Sequence, residues 1–218
     1  INSKFVDAAQ KPDPLVRKEI LRVVARLLPN IIYYAFSSQI VIWILSIYGN
    51  ANEVASIGAL GRFSLLIALF SGLLASLFIP RFSRLQDNKG TILKAFIVFQ
   101  VLLLLFSSFV MRFVYLVPTQ MLWVLGSAYS GLSSALFLII LANCIGLVAS
   151  LTGNFIGSRG HFLNLILVIA LNLSTVTAAF FIWDLSTLTG ILYYSILYEC
   201  IFLIVIYTFS FYKIILNK

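Results

Sequence analysis

Charge is scarce in this 218-residue sequence. Only 10% of the residues are charged, whereas 61% are hydrophobic. A soluble globular domain averages about 25% charged and about 45–50% apolar residues. The composition therefore excludes an ordinary soluble domain and predicts an integral membrane protein.

Residues that carry metal or covalent chemistry are also few. The two cysteines, Cys144 and Cys200, lie inside apolar runs, and the one histidine, His161, lies in a short polar break. The sequence contains no metal-ligand spacing, Walker loop, nucleophile elbow or carboxylates at catalytic spacing. We therefore expect no catalytic residue, no metal site and no cofactor, and a protein that is not an enzyme.

A secretory signal peptide is missing as well. The chain begins at Ile1 with a polar, basic stretch that has neither the apolar core nor the cleavage site of a signal. At residues 14–26, apolar and basic residues recur at helical spacing, which predicts a basic amphipathic helix. We interpret residues 1–26 as a cytoplasmic linker among lipid head groups, with binding of one specific head group as the alternative. We expect the chain to be a fragment that continues from a longer protein.

Long apolar runs fill residues 27–218. A membrane helix needs about 20 mostly apolar residues, and the predicted spans are 27–48, 54–79, 92–116, 121–151, 161–183 and 188–212. The sequence lacks the alternating segments of a β-barrel. The predicted fold class is therefore all-α, a polytopic membrane protein with six transmembrane helices.

Basic residues exceed acidic ones, 15 to 7, and nearly all fall on one side of the predicted bundle. The two exceptions, Arg62 and Arg112, lie inside predicted helices. Because short cytoplasmic loops are enriched in Lys and Arg, we predict that both ends of the chain are cytoplasmic.

Arg62 is a permanent cation within the second predicted span. It lies about 14 Å along the helix from Glu53, at a depth where an arginine costs roughly 2.5–3.5 kcal/mol. Small residues around it predict close helix packing; they are Gly58, Gly61, Ala68 and Gly72. We interpret Arg62 as facing a cavity that receives an anion, with neutralisation by a structural partner as the alternative.

Glu199 is an acid near the middle of the last predicted span. Ionisable residues at such depth are usually paired or functional. Two interpretations stay open: Glu199 pairs with Arg62, directly or through water, or it carries a coupling proton.

Other polar residues in predicted helices complete the candidate substrate cavity. Arg112 lies near the outer end of the third span, where its long side chain can also reach the interface. The uncharged members are Gln39, Asn143 and Asn172. Each of these amides either lines the cavity or forms a hydrogen bond between helices, worth about 0.6 kcal/mol on average.

One stretch of the sequence resembles a known transporter family. Residues 58–62 read GALGR, a long apolar helix follows, and residues 80–84 read PRFSR. Over residues 27–84 this pattern resembles the bacterial O-antigen and exopolysaccharide flippases of the multidrug/oligosaccharidyl-lipid/polysaccharide exporter superfamily. Beyond residue 84 only the six-helix layout agrees.

The resemblance implies a MATE-like transporter of two six-helix lobes, with this chain as the C-terminal lobe. It implies flipping of an anionic undecaprenyl-diphosphate-linked oligosaccharide across the bacterial inner membrane, by rocking of the lobes, for O-antigen, capsule or exopolysaccharide synthesis. Arg62 falls in the matching motif, and the resemblance implies that it faces the diphosphate or an acidic sugar. The expected partners are membrane lipids, the N-terminal half and a polysaccharide polymerase, and nucleic acid is not expected.

Other functions stay open. An ion-coupled multidrug exporter would share the layout, although a cavity cation disfavours organic-cation substrates. A non-transporting subunit of envelope polysaccharide assembly would leave Arg62 and Glu199 as a structural pair. A membrane-bound polymerase or ligase is disfavoured, because the predicted outer connections at 49–53, 117–120 and 184–187 are too short for a catalytic loop.

Overall fold

The computed structural model describes residues 14–37, 39–85 and 88–216. Within these ranges every regular element is helical and no strand occurs, which confirms the predicted all-α class. The chain divides into two compact units, Ile1–Ile40 and Val41–Lys218.

The first unit contains one long helix, α1, Pro14–Ser37, with Pro29 inside it. α1 includes the segment predicted as amphipathic and continues through the predicted linker boundary at residue 26, because the leucines there favour helix. Residues 1–13 of the predicted linker lie outside the described residues. Where a single span was predicted at 27–48, the structure has two helices, since α1 ends at Ser37 and α2 covers Ile40–Tyr48.

Five long helices form most of the second unit. Besides α2, its helices are α3, Ala51–Ser83; α4, Lys89–Leu116; α5, Pro118–Trp123; α6, Ser133–Gly157; α7, Leu165–Ile182; and α8, Leu188–Leu216. A 3₁₀ turn at Ser127–Tyr129 precedes α6. In the described residues, α3, α4, α6, α7 and α8 are long and apolar enough to span a membrane. The chain is therefore a multi-pass membrane protein by length and composition of its helices, and the sixth span stays a prediction.

Two helices begin later than predicted. The span predicted at 121–151 is interrupted, because Gly126 adopts a φ of 108°, a conformation that glycine tolerates best. α6 therefore begins only at Ser133. The next span begins at Leu165 rather than at residue 161, because Asn164 Oδ1 accepts the N–H of Ile166 at 3.0 Å and caps α7.

α6 is the central helix of the second unit. It packs against α3, α4 and α8, and α7 packs on α8. Its buried side chains run from Ala135 to Ile156 and occur on several faces, as expected for a helix enclosed by its neighbours. α6 is thus the core on which side chains from α3 and α8 are positioned near the middle of the bundle.

The two ends of the bundle are built differently. At the Phe82 end, the ring of Phe82 lies 4.9 Å from that of Phe99 and 4.6 Å from that of Phe155. These rings join the end of α3 to the start of α4 and the end of α6. At the Glu53 end, Glu53 Oε2 accepts the backbone N–H of Leu188 at 3.0 Å, which joins the starts of α3 and α8. α4 therefore runs antiparallel to α3, α6 and α8.

Basic residues of the second unit gather at the Phe82 end. They are Arg81, Arg84, Lys89, Lys94, Arg159 and Lys213. Only Arg62 and Arg112, among the described residues of this unit, lie elsewhere. This clustering is the charge asymmetry from which the sequence predicts that the Phe82 end is cytoplasmic. The orientation itself stays a prediction.

Candidate functional site

Polar side chains from four helices lie at one depth in the bundle, and we call them the central polar layer. They are Arg62 on α3, Asn143 on α6, Asn172 on α7 and Glu199 on α8. At a rise of about 1.5 Å per residue, each lies about 15–17 Å along its helix from the Glu53 end. Four residues predicted to line a substrate cavity thus share one level.

Arg62 lies on the outer surface of α3 with an exposed side chain. Exposed positions follow one another along this face at spacings of three and four residues. This row, the Arg62 stripe, consists of Ala55, Gly58, Arg62, Leu65, Leu69, Gly72 and Ser76. No described residue forms a hydrogen bond or ion pair with Arg62. A structural partner that neutralises the guanidinium is therefore not found in the described part of the chain.

Glu199 lies between α8 and α6, with its carboxyl group directly over Gly146. A Cβ atom added at Gly146 would lie 2.9 Å from both Cδ and Oε2 of Glu199. The carboxyl group therefore occupies space into which any side chain at position 146 would project. Within the described ranges Glu199 has no hydrogen bond or ion pair, so it forms no direct pair with Arg62.

Sequence reasoning missed Gly146. The available signal was a lone glycine inside the apolar run of α6, which usually has a packing or functional reason when it is placed in a helix. The run offers no hint of its partner, because Glu199 lies on another helix and 53 positions later in the chain.

The two asparagines of the central polar layer have different surroundings. Asn143 Nδ2 donates to Ser64 Oγ at 2.9 Å and to the carbonyl oxygen of Ile139 at 2.7 Å, so it ties α6 to α3. Asn172 is only 4% exposed, and its Oδ1 accepts no hydrogen bond from the described residues. Because buried polar atoms are nearly always satisfied, Asn172 is the stronger candidate for a role beyond helix packing.

Two other predicted site residues lie away from the central polar layer. Arg112 is exposed, four residues before the end of α4, or about 6 Å from the Glu53 end. A long side chain there reaches the membrane interface. Gln39 lies in the turn between α1 and α2, so its predicted placement inside a helix is wrong.

The small residues predicted to bring helices close do not do so among the described residues. Nothing lies within 4 Å of the position of an added Cβ at Gly58, Gly61 or Gly72, and Ala68 is exposed. They face away from the other described helices because α6 contacts the opposite side of α3. Close approach occurs instead at Gly146 and at Gly190, where an added Cβ would collide with the carbonyl group of Asp184.

A second polar cluster links three helices nearer the Phe82 end. Tyr207 on α8 donates its hydroxyl hydrogen to Gln100 Oε1 at 2.7 Å, and Gln100 Nε2 on α4 donates to Thr152 Oγ1 at 2.8 Å. Thr152 on α6 in turn donates to the carbonyl oxygen of Val148 at 2.6 Å. Gln100 and Thr152 are buried, so this Tyr207 network fixes α4 and α8 on the central helix.

The connection between α7 and α8 is a tight polar turn at the Glu53 end. Asp184 Oδ1 accepts hydrogen bonds from Ser186 Oγ at 2.6 Å and from Ser186 N at 3.0 Å. These bonds stabilise the carboxylate and lower the pKa of Asp184. The turn holds the start of α8 in place without adding a charge to the central polar layer.

No group of three or more His, Cys, Asp or Glu side chains that could hold a metal ion occurs among the described residues. Comparison of the chain with protein-family models, curated proteins and solved structures gave no match.

Proposed function

We propose that this chain is one lobe of a transporter that flips an undecaprenyl-diphosphate-linked oligosaccharide across the bacterial inner membrane. The observation that carries the proposal is the exposed Arg62 side chain at mid-depth on α3, without a partner among the described residues. The resemblance of residues 27–84 to the polysaccharide flippases supplies the class of substrate.

The energetics of Arg62 favour a cavity over a lipid-facing position. A charged side chain at the centre of a membrane helix costs roughly 2.5–3.5 kcal/mol and usually faces water or a partner. A diphosphate offers several oxygen acceptors for a guanidinium, which binds phosphate groups bidentately. A wet cavity visited by such an anion therefore gives Arg62 a favourable environment.

The Arg62 stripe is the surface that we assign to the expected N-terminal six-helix half. Its small residues leave room for a neighbouring helix, while Arg62 stays at the edge of the space between the lobes. Rocking of two lobes about this site would expose Arg62 to each side of the membrane in turn. A polysaccharide polymerase and membrane lipids remain expected partners of the whole assembly.

A second candidate function, an ion-coupled multidrug exporter, is favoured by Glu199. Its carboxyl group lies inside the bundle at the depth of Arg62 and has no ion pair in the described residues. A carboxyl group so placed can take up a proton or bind a cation during transport. In this function Glu199, rather than Arg62, would be the residue on which transport depends.

Replacement of Arg62 tests the first function. We expect Arg62→Ala in the native host to lower surface polysaccharide on the order of tenfold or more, because a charged hydrogen bond contributes about 1.5–3 kcal/mol. Arg62→Lys should retain part of the activity because it keeps the charge. Arg112→Ala is the matched control, since it removes an exposed arginine near the helix end. The measurement is surface polysaccharide per cell at equal membrane levels of each variant.

Normal polysaccharide from Arg62→Ala would contradict a cavity cation. Loss of cationic-dye efflux in Glu199→Gln, with polysaccharide unchanged in both variants, would establish the multidrug function instead. If neither replacement alters polysaccharide or efflux, the remaining hypothesis of a non-transporting subunit is favoured.

A further inference from the structure

A cavity at the Phe82 end lies apart from the central polar layer. It has a volume of about 640 Å³ and is bounded by the ends of α3, α6 and α8 and by the start of α4. This volume falls within the roughly 300–1,000 Å³ of typical ligand pockets. Neither transport function proposed above uses this cavity.

The polar lining of the cavity consists of two serines, Ser83 and Ser158, and four basic side chains. Lys89, Arg159, His161 and Lys213 line it, and none of the described lining residues is acidic. Arg159 Nη1 donates to the carbonyl oxygen of Phe82 at 3.3 Å, which holds the guanidinium at the cavity wall. The Nζ atom of Lys213 lies 5.9 Å from the ring centre of Phe209 on the same helix. Basic side chains from three parts of the chain therefore line the cavity, and the bond to Phe82 fixes one of them in place.

The turn after α6 forms one wall of this cavity. Gly160 has a φ of 83°, the left-handed conformation that commonly ends a helix. The N–H of His161 returns to the carbonyl oxygen of Ile156 at 3.4 Å. The turn thus brings Arg159 and His161 alongside the ends of neighbouring helices.

The remainder of the lining is apolar and identifies the kind of ligand. Leu85, Ile92, Ile156 and Ile214 lie beside the basic residues, and the cavity is at the level of the helix ends, where lipid phosphates lie. A soluble anion has no apolar groups to pack against these four side chains, whereas a phospholipid presents a phosphate next to glycerol and methylene groups. Basic pockets between membrane helices bind anionic lipid head groups.

We propose that this cavity binds the head group of one anionic phospholipid, with the basic side chains on its phosphate and the aliphatic side chains on its glycerol. Phosphatidylglycerol is a suitable probe because it has a phosphate without a compensating cation. The bound lipid would join the ends of α3, α6 and α8 and the start of α4.

Native mass spectrometry of the purified full chain in detergent, titrated with phosphatidylglycerol, tests this assignment. We expect one tightly bound lipid, and weaker binding of phosphatidylcholine. Arg159→Gln with Lys213→Gln should lower the affinity on the order of 10- to 30-fold, because each basic contact contributes roughly fivefold. If this double variant does not fold, Lys213→Gln alone should lower the affinity roughly fivefold.

The matched control removes two cations at the same end of the bundle. Arg81→Gln with Lys94→Gln acts on residues that line a different groove, between α3 and α4, and should leave the affinity within about twofold. Equal or greater loss in this control would overturn the assigned site. Displacement of the lipid by millimolar inorganic phosphate would make free phosphate the ligand, and equal binding of phosphatidylcholine would exclude recognition by charge.

Discussion

Arg62 and Glu199 lie at nearly the same depth but in different surroundings. Arg62 extends from the outer surface of α3, whereas the Glu199 carboxyl group lies over Gly146 inside the α6–α8 interface. The two side chains therefore form no direct ion pair within the described residues. Each can respond separately to a ligand, Arg62 to an anion and Glu199 to a proton or cation.

We predict that Gly146→Ala displaces the Glu199 carboxyl group without unfolding the protein. The added Cβ would lie 2.9 Å from Cδ and Oε2, and the carboxyl group is the mobile end of a flexible side chain. Alanine also favours helix over glycine by about 0.8–1.0 kcal/mol, so the free energy of unfolding should change by no more than about 1 kcal/mol. If Glu199 carries a proton during transport, Glu199→Gln should abolish the pH dependence of flux by the reconstituted transporter, and Gly146→Ala should shift it.

Gly153→Ala is the control for this experiment. It lies on the same helix, and its added Cβ would meet Ile206 Cδ1 at an ordinary 3.6 Å. Its pH profile should match that of the unmodified protein. A pH profile that is unchanged in both Gly146→Ala and Glu199→Gln would exclude the proton role.

At the scale of single helices, hydropathy locates most spans and fails at their ends. The runs that form α3, α4 and α8 are continuous and end at polar segments. By contrast, the run predicted at 121–151 contains Gly126, and its positive φ interrupts the helix despite the apolar sequence around it. Local apolar content therefore identifies a span, and backbone conformation at one or two residues sets where it begins.

The Tyr207 network lets us predict how much one hydrogen bond between two helices contributes to the free energy of unfolding. Tyr207→Phe removes the donor to Gln100 Oε1, so the free energy of unfolding should fall by about 0.6 kcal/mol and by no more than about 1.7 kcal/mol. Reversible unfolding in mixed detergent micelles measures this difference. Tyr212→Phe, an exposed position on the same helix, should stay within about 0.5 kcal/mol, and an equal loss there would show that the bond contributes nothing.

At the scale of the whole molecule, the basic Phe82 end and the Glu53 end are on opposite sides of the five apolar helices. The arrangement rests on contacts that join helix ends, the Phe82 rings at one side and the Glu53–Leu188 bond at the other. The same one-sided charge would place the Phe82 end in the cytoplasm, because short cytoplasmic loops are enriched in Lys and Arg.

Cysteine labelling tests both the topology and the orientation. In a background with Cys144→Ala and Cys200→Ala, Thr91→Cys should react with an impermeant maleimide only from the cytoplasmic side. Asn52→Cys, at the opposite helix end, should react only from the other side. Labelling of both from one side would contradict the antiparallel arrangement of α3 and α4, whereas exchanged sides would contradict the orientation alone.

Some features depend only on the order of residues along the chain, so they could be predicted without any knowledge of contacts. They are the apolar runs, the one-sided distribution of basic residues and the depth of Arg62 and Glu199. The all-helical class follows from them. The common level of Arg62, Asn143, Asn172 and Glu199 depends also on where each helix begins, and for α6 that start was found only in the structure. The contacts across helices depend on how each helix is rotated about its axis and packed on α6, and no local pattern encodes that rotation. For this reason three features emerged only from the packed structure. They are the contact of Glu199 with Gly146, the outward orientation of the glycines in the Arg62 stripe, and the basic cavity at the Phe82 end.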